Sequence, residues 1–219
     1  MTSRRKFLQN TMLLGAGLSM PSLLTAADFG KFTRSIGPND QINYGVIGCK
    51  GMGWSNMSAH LKIPQVNCVA LCDVDQSVLD QRTEDVFKLR GTRPAQYKDY
   101  RKMLENKDID VVIIGTPDHW HCLNMVDAVS AGKHVYVEKP IANTIEECQI
   151  MVKAQERYGK IVQVGQWQRS GSQYDQAIQY VKSGKLGQIR LVKCWAYQGW
   201  MKPVPVVANS AAPAGVDYN

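Results

Sequence analysis

Four groups of polar residues stand directly after apolar runs in this chain. They are Asp73; Thr116-Pro117-Asp118-His119-Trp120-His121; Glu138-Lys139-Pro140; and Gly165-Gln166-Trp167-Gln168-Arg169. Carboxylates, imidazoles, an ammonium and amides at strand ends are the groups that bind and polarise a small ligand. A fifth stretch, Gly48-Cys49-Lys50-Gly51-Met52-Gly53, follows the apolar run Ile42–Ile47 and reads as a tight turn into a helix. Such a turn lets backbone N–H groups approach a pyrophosphate, while the helix N-terminus adds partial positive charge. The same pattern also serves close packing of a helix on a sheet. Asp73 falls 20 residues after Gly53, at the spacing where a carboxylate accepts hydrogen bonds from a ribose hydroxyl. An N-cap role is the plainer reading, but Asp75 can fill it. Glycine turn and acid together point to a dinucleotide. Asp73 would repel a 2′-phosphate and no arginine follows it directly, so NAD is preferred to NADP. Gly48, Gly51, Met52, Gly53 and Asp73 are the residues of this part of the site. Lys50 stands where the dinucleotide pattern has its middle glycine, and the loop must be recast so that Gly51 makes the close approach.

These residues need a scaffold that brings strand ends together. Val66–Cys72, Asp110–Thr116, His134–Glu138 and Ile161–Val164 read as buried strands. Between them lie helical segments: one from the glycine turn to about Lys62, then residues 77–90, 118–131 and 144–158, the last opened by a Thr144/Glu147 capping box. In residues 77–90, Leu79, Val86 and Leu89 share one side. Residues 91–95 read as a loop and residues 97–104 as a short helix. Strands alternating with helices specify an α/β fold with a doubly wound parallel (Rossmann) sheet and right-handed crossovers. Residues 172–183 read as a further helix. From Gln188 the pattern changes, and residues 189–197 mix polar and apolar positions as a strand with one open face does. This is the expected start of an α+β second domain, followed by a proline-bearing extended tail.

Of the 26 basic residues, Arg4, Arg5 and Lys6 lie together near the start; the other 23 stand against 19 acidic ones. No basic cluster interleaved with aromatics remains, so nucleic-acid binding is not indicated. The six cysteines include no Cys-x-x-Cys pair and read as buried thiols. Residues 1–27 resemble a twin-arginine export signal: Ser3-Arg4-Arg5-Lys6-Phe7-Leu8 precedes a small-residue apolar run, and Thr25-Ala26-Ala27 offers a cleavage site. Residues 28–40 read as a linker, residues 41–165 as the NAD-binding domain and residues 166–219 as the beginning of a second. An exported, periplasmic protein follows, with no membrane span once the signal is removed.

The glycine turn with its acid, Thr-Pro-Asp-His-Trp-His, Glu-Lys-Pro and Val-Gly-Gln-Trp-Gln-Arg occur in that order. Together they resemble the amino-terminal half of the glucose-fructose oxidoreductase, inositol dehydrogenase and rhizopine-catabolism (Gfo/Idh/MocA) family, over residues 40–198. The resemblance implies that Lys139 lies beside the nicotinamide and the reacting carbon, with an ammonium able to stabilise alkoxide character during hydride transfer. It implies that Glu138 orients Lys139, that Thr116 and Pro117 pack near the dinucleotide, and that His121 reaches the nicotinamide side. Gln166 and Arg169 read either as contacts to cofactor or sugar or as a polar loop; Asp118 reads as an N-cap. Two histidines with one acid make a poor metal site.

The family's second catalytic group, usually a histidine in an Asp-x-x-x-His segment, lies well downstream of Glu-Lys-Pro, whereas all four histidines here precede residue 140. The chain is therefore read as truncated, with a family-like homo-oligomer expected only alongside the missing domain. Three readings stand: an NAD-dependent oxidoreductase acting on a sugar or polyol; an NAD-dependent glycoside hydrolase that oxidises its sugar transiently; and a non-catalytic NAD-binding fragment whose apolar stretch Leu191–Trp195 favours association.

Overall fold

Strand β1, Ile42–Ile47, is the centre of a six-stranded sheet and is flanked by β2, Val66–Cys72, and β4, Val111–Ile114, both parallel to it. Outward on one side lies β3, Ala95–Tyr97; on the other lie β5, His134–Val137, and β6, Val162–Val164. The computed structural model describes residues 41–196, 205–206 and 208–218 of the chain. The export pattern, the linker and the end of the stretch 189–197 lie outside the described residues. The chain divides into two units, Met1–Asp40 and Gln41–Asn219, and the elements described here belong to the second.

The strand order is β3-β2-β1-β4-β5-β6, and every pair is parallel. This is the doubly wound Rossmann sheet expected from the alternating pattern, with its switch point between β1 and β4. Parallel strands bury both faces, and β4 shows the pleat directly. Val112 and Ile114 enter one core layer with Met103, Met125, Val129 and Met151, whereas Ile113 enters the other with Tyr44, Val46, Met57, Leu71 and Val86. The register pairs Ile47 with Ile114, Ile114 with Val137 and Val137 with Val164. The residues that follow these ends, Gly48, Gly115, Glu138 and Gly165, are thereby brought side by side.

The helices are α1, Gly51–His60; α2, Gln76–Arg90; α3, Tyr100–Leu104; α4, His121–Ser130; α5, Ile145–Tyr158; and α6, Ser172–Lys182. Asp75 caps α2 by accepting from the Ser77 amide, and α5 opens on the full Thr144/Glu147 capping box. Gly91 and Gly159, both left-handed, end α2 and α5. The Arg90 guanidinium donates to the carbonyls of Leu61, Ile63, Pro64 and Val66. One side chain thus ties the end of α1 to the start of β2.

Several local expectations are corrected. Ala95–Tyr97 is a strand, although residues 91–95 read as a loop and Tyr97 as helical. Three residues carry no periodicity, and only the edge of β2 recruits them. Asp99 then caps the short α3 by accepting from the Arg101 amide. Residues 118–131 are not one helix: the Asp118 carboxylate accepts from the neighbouring His119 amide and tightens Asp118–Trp120 into a 3-10 turn, and α4 begins at His121. Asp118 is therefore not the N-cap of α4. Leu89 is 60% exposed, because α2 turns Val78, Leu79, Thr83 and Val86 to the core. Residues 189–196 form no strand; a half-open strand needs a neighbour, and none of the described strands pairs with it. The tail is not wholly unsupported. Val216 bridges Asp75, and the Asp217 amide donates to the Val74 carbonyl at 2.9 Å.

Candidate active site

The turn after β1 is built by glycine backbones in contact. A Cβ on Gly53 would stand 1.8 Å from the Gly48 carbonyl oxygen, and one on Gly115 would stand 2.5 Å from the Gly53 Cα. Gly48 has φ +80 and its missing Cβ would meet the Thr116 amide nitrogen at 2.7 Å. The end of β1, the start of α1 and the end of β4 therefore close on one another as only glycine permits. Gly115 is a site residue that reading the sequence missed; its only signal is its place at the end of the most apolar strand.

Lys50 is extended and exposed, and it caps α1 without a side-chain hydrogen bond. Gly51, at φ +51, has open space where its Cβ would be. Gly51 thus borders open space and Lys50 is exposed, and the Lys50 charge helps hold the Asp75 carboxyl low after the larger effect of the Ser77 hydroxyl. The first turn of α1 carries no acidic residue, so the glycine-lined N-terminus with Met52 exposed beside it fits a dinucleotide pyrophosphate.

Asp73 is half-buried at the end of β2. One oxygen accepts from the Cys49 amide at 2.8 Å and the other from the Asp75 amide at 3.1 Å. The carboxylate braces the glycine turn, and each oxygen keeps a second lone pair for a ribose hydroxyl. Beneath the turn lies the Cys49 thiol, pushed up by burial and then by the Asp73 charge. Arg82 of α2 stacks on Trp54 of α1 and donates to the Cys49 carbonyl.

On the other side of the switch point, Lys139 and Pro140 are exposed whereas Glu138 is buried. The Glu138 carboxylate accepts from Asn56 Nδ2 of α1 at 2.8 Å and from the Lys139 amide at 3.1 Å. The Tyr136 hydroxyl also meets it and is pushed up by burial first and by that negative charge second. Glu138 thus holds the Lys139 peptide; it makes no ion pair with the Lys139 ammonium among the described residues. Asn56 and Tyr136 were not singled out from the sequence, although Asn56 lies three residues after Gly53, on the next turn of the same helix.

His121 does not present its ring to the crevice as the resemblance implied. It is 1% exposed, with Nδ1 2.7 Å from the Pro140 carbonyl and Nε2 2.9 Å from the Thr116 carbonyl. Carbonyl oxygens only accept and each tautomer of the imidazole carries one N–H, so the ring donates to one of these carbonyls and packs against the other, between the loops after β4 and β5. Thr116 is half-buried, with its hydroxyl 3.3 Å from Asn124, and Pro117 is exposed beside it. Gln166 and Arg169 are exposed after β6, where Gly165 is buried.

An all-parallel sheet with a glycine turn and acid at its switch point defines a dinucleotide-binding Rossmann domain, and its cofactor is NAD. The family model described as "Oxidoreductase family, NAD-binding Rossmann fold" (GFO_IDH_MocA) matches residues 42–166, and the chain belongs to this Gfo/Idh/MocA family. Among curated relatives, a glycosyl hydrolase family 109 protein 1 of Shewanella sp. (strain ANA-3) is 33% identical over 152 residues. An alpha-N-acetylgalactosaminidase of Shewanella oneidensis is 32% identical over the same length. Each match covers 68% of this chain and 33% of the relative, so the chain spans about a third of their length. Among solved structures, the Lactobacillus casei scyllo-inositol dehydrogenase with bound NAD(H) and scyllo-inositol is 28% identical with a TM-score of 0.61, over 67% of this chain and 42% of that one. An NAD binding oxidoreductase from Klebsiella pneumoniae is 30% identical with a TM-score of 0.58, over 67% and 40%.

Proposed function

We propose that the protein transfers hydride between NAD and a sugar or sugar-like polyol, with Lys139 as its catalytic residue. The observation that carries this reading is the state of the Glu-Lys-Pro segment: Glu138 is fixed inward by Asn56, the Pro140 carbonyl lies against the His121 ring, and the Lys139 side chain is exposed at the end of β5, one strand beyond the switch point. When bound, NAD supplies the hydride acceptor. Lys139 holds its ammonium toward the substrate oxygen and stabilises the alkoxide that develops as the hydride leaves. Asp73 and the α1 N-terminus fix the far end of the dinucleotide, and Thr116 and Pro117 line the way between. Removal of the hydroxyl proton falls to the histidine that the family places in its Asp-x-x-x-His segment, a pattern that does not occur after Glu-Lys-Pro in these 219 residues. The Arg4-Arg5 pattern supports export to the periplasm of an already folded protein.

A second reading is favoured by the names of the relatives: a glycoside hydrolase in which oxidation of the sugar is transient and NAD is regenerated. One experiment separates the two. Protein with NAD is given scyllo-inositol, and separately a nitrophenyl N-acetylgalactosaminide. Net NADH with the first supports the oxidoreductase; nitrophenol released without net NADH supports the hydrolase. Lys139→Met is expected to lower either turnover by about a hundredfold or more, with unfolding stability within about 0.5 kcal/mol of wild type because the side chain is exposed. Turnover unchanged by Lys139→Met would remove the lysine from the mechanism.

A further inference from the structure

The Glu138 carboxylate is 3% exposed and, among the described residues, has no cation at ion-pair distance. A buried carboxylate persists only if donors satisfy it. Its donors come from distinct parts of the fold, Asn56 Nδ2 from α1 and the Lys139 amide from the end of β5, and the Tyr136 hydroxyl of β5 lies beside it. The fourth side is closed by Gly165, where a Cβ would stand 2.8 Å from Glu138 Oε1 and 3.0 Å from the Tyr136 hydroxyl. The carboxylate therefore has one position. The backbone carbonyl of Asn56 lies 2.7 Å from His60 Nδ1, one turn along α1, and the His60 ring packs against Tyr44 and Tyr136.

We propose that Asn56 is a positioning residue for hydride transfer: from the helix that receives the cofactor pyrophosphate, it fixes Glu138 and through it the Lys139 peptide, so that cofactor and lysine keep one spacing. The inference rests on Lys139 facing the nicotinamide. Asn56 stands one turn into α1, below the N-terminal amides, and Glu138 is its link across the switch point from β1's helix to β5's end. Asn56 touches neither cofactor nor substrate in this arrangement; it acts through Glu138. A role confined to stabilising α1 would affect both ends of the dinucleotide alike, whereas this role acts on the nicotinamide end.

The test compares NADH with ADP-ribose, which lacks the nicotinamide, by calorimetric titration of the whole chain. Asn56→Asp sets two carboxylates face to face. It is expected to weaken NADH binding about tenfold or more while ADP-ribose binding changes less than about twofold. Adding Glu138→Gln reverses donor and acceptor across the same contact, because the new amide donates to the new carboxylate and its oxygen still accepts from the Lys139 amide. The double variant is expected to recover NADH affinity to within about threefold of wild type. Parallel losses for both ligands, unchanged NADH affinity in Asn56→Asp, or no recovery in the double variant would each overturn the proposal. If Asn56→Asp fails to fold, Asn56→Ala read by the same two ligands decides it. Lys139→Ala, measured alongside, separates this inference from its premise. If that variant leaves the NADH to ADP-ribose preference as in wild type, the lysine does not face the nicotinamide and the functional reading falls with it; if only Asn56→Asp has no effect, the positioning role alone falls.

Discussion

The glycine turn after β1 and the lysine mount after β5 stand at the same end of one sheet and are built in opposite ways. The turn is backbone on backbone: Gly48, Gly53 and Gly115 meet with no room for a single carbon. The mount is made by side chains: Asn56 donates to Glu138, Glu138 accepts from the Lys139 amide, and the His121 ring lies against the Pro140 carbonyl. A steric fit fails all at once when an atom is added, whereas a polar mount loses its grip one bond at a time. The division suits the two tasks. The turn makes the close approach a pyrophosphate needs, and the mount sets the direction of one ammonium.

The largest expected effect breaks the turn. Gly53→Ala forces a carbon into the Gly48 carbonyl and is expected to cost more than about 4 kcal/mol in urea denaturation. A variant as stable as wild type would show that α1 can shift and that the contact is not what closes the site. Next is Asp73→Ala, which removes the acceptor for the Cys49 and Asp75 amides and for the ribose. NAD affinity by calorimetry is expected to fall about tenfold or more, and undiminished affinity would mean that glycine packing alone forms the cofactor grip. Smaller still is Gly51→Ala, where space is open and only the left-handed φ opposes the change. A loss of about 1 kcal/mol is expected, and a loss equal to that of Gly53→Ala would contradict the different roles given to the two glycines.

The last effect is one of pH, absent near neutrality and growing with alkalinity. Burial pushes the Cys68 and Cys72 thiols from 9.0 up to about 12. In the folded chain they stay protonated where the unfolded chain ionises, so their contribution is complete below pH 9.0 and is lost as pH rises toward about 12. Urea midpoints are therefore expected to decline above that lower value. In the same range exposed Cys194 should take up a thiol reagent readily, and buried Cys49, Cys68 and Cys72 only as the fold around them opens. Because these three buried thiols lie on the β1–β2 side, alkaline loosening should reach the glycine turn before the lysine mount. Labelling of Cys49 no earlier than global unfolding would argue against that order.

Much of this molecule was determined by short-range physical chemistry that the sequence carries openly. Apolar runs such as Val111–Ile114, the Asp75 cap, the Thr144/Glu147 box and the glycines at 91 and 159 each act within a few residues, so the type and order of most elements were legible. The switch-point site was legible too, because the parallel sheet sends every strand end to one edge. What local pattern could not decide are matters of contact. Ala95–Tyr97 becomes a strand only because β2 offers an edge, and residues 189–196, with a strand-like composition, stay irregular among the described residues because no strand pairs with them. The inward turn of His121 and the partnership of Asn56 with Glu138, 82 residues apart, depend on how α1, β4 and β5 close on one another. Residue type and spacing named the lysine. Only the packing of its neighbours decided which groups hold it.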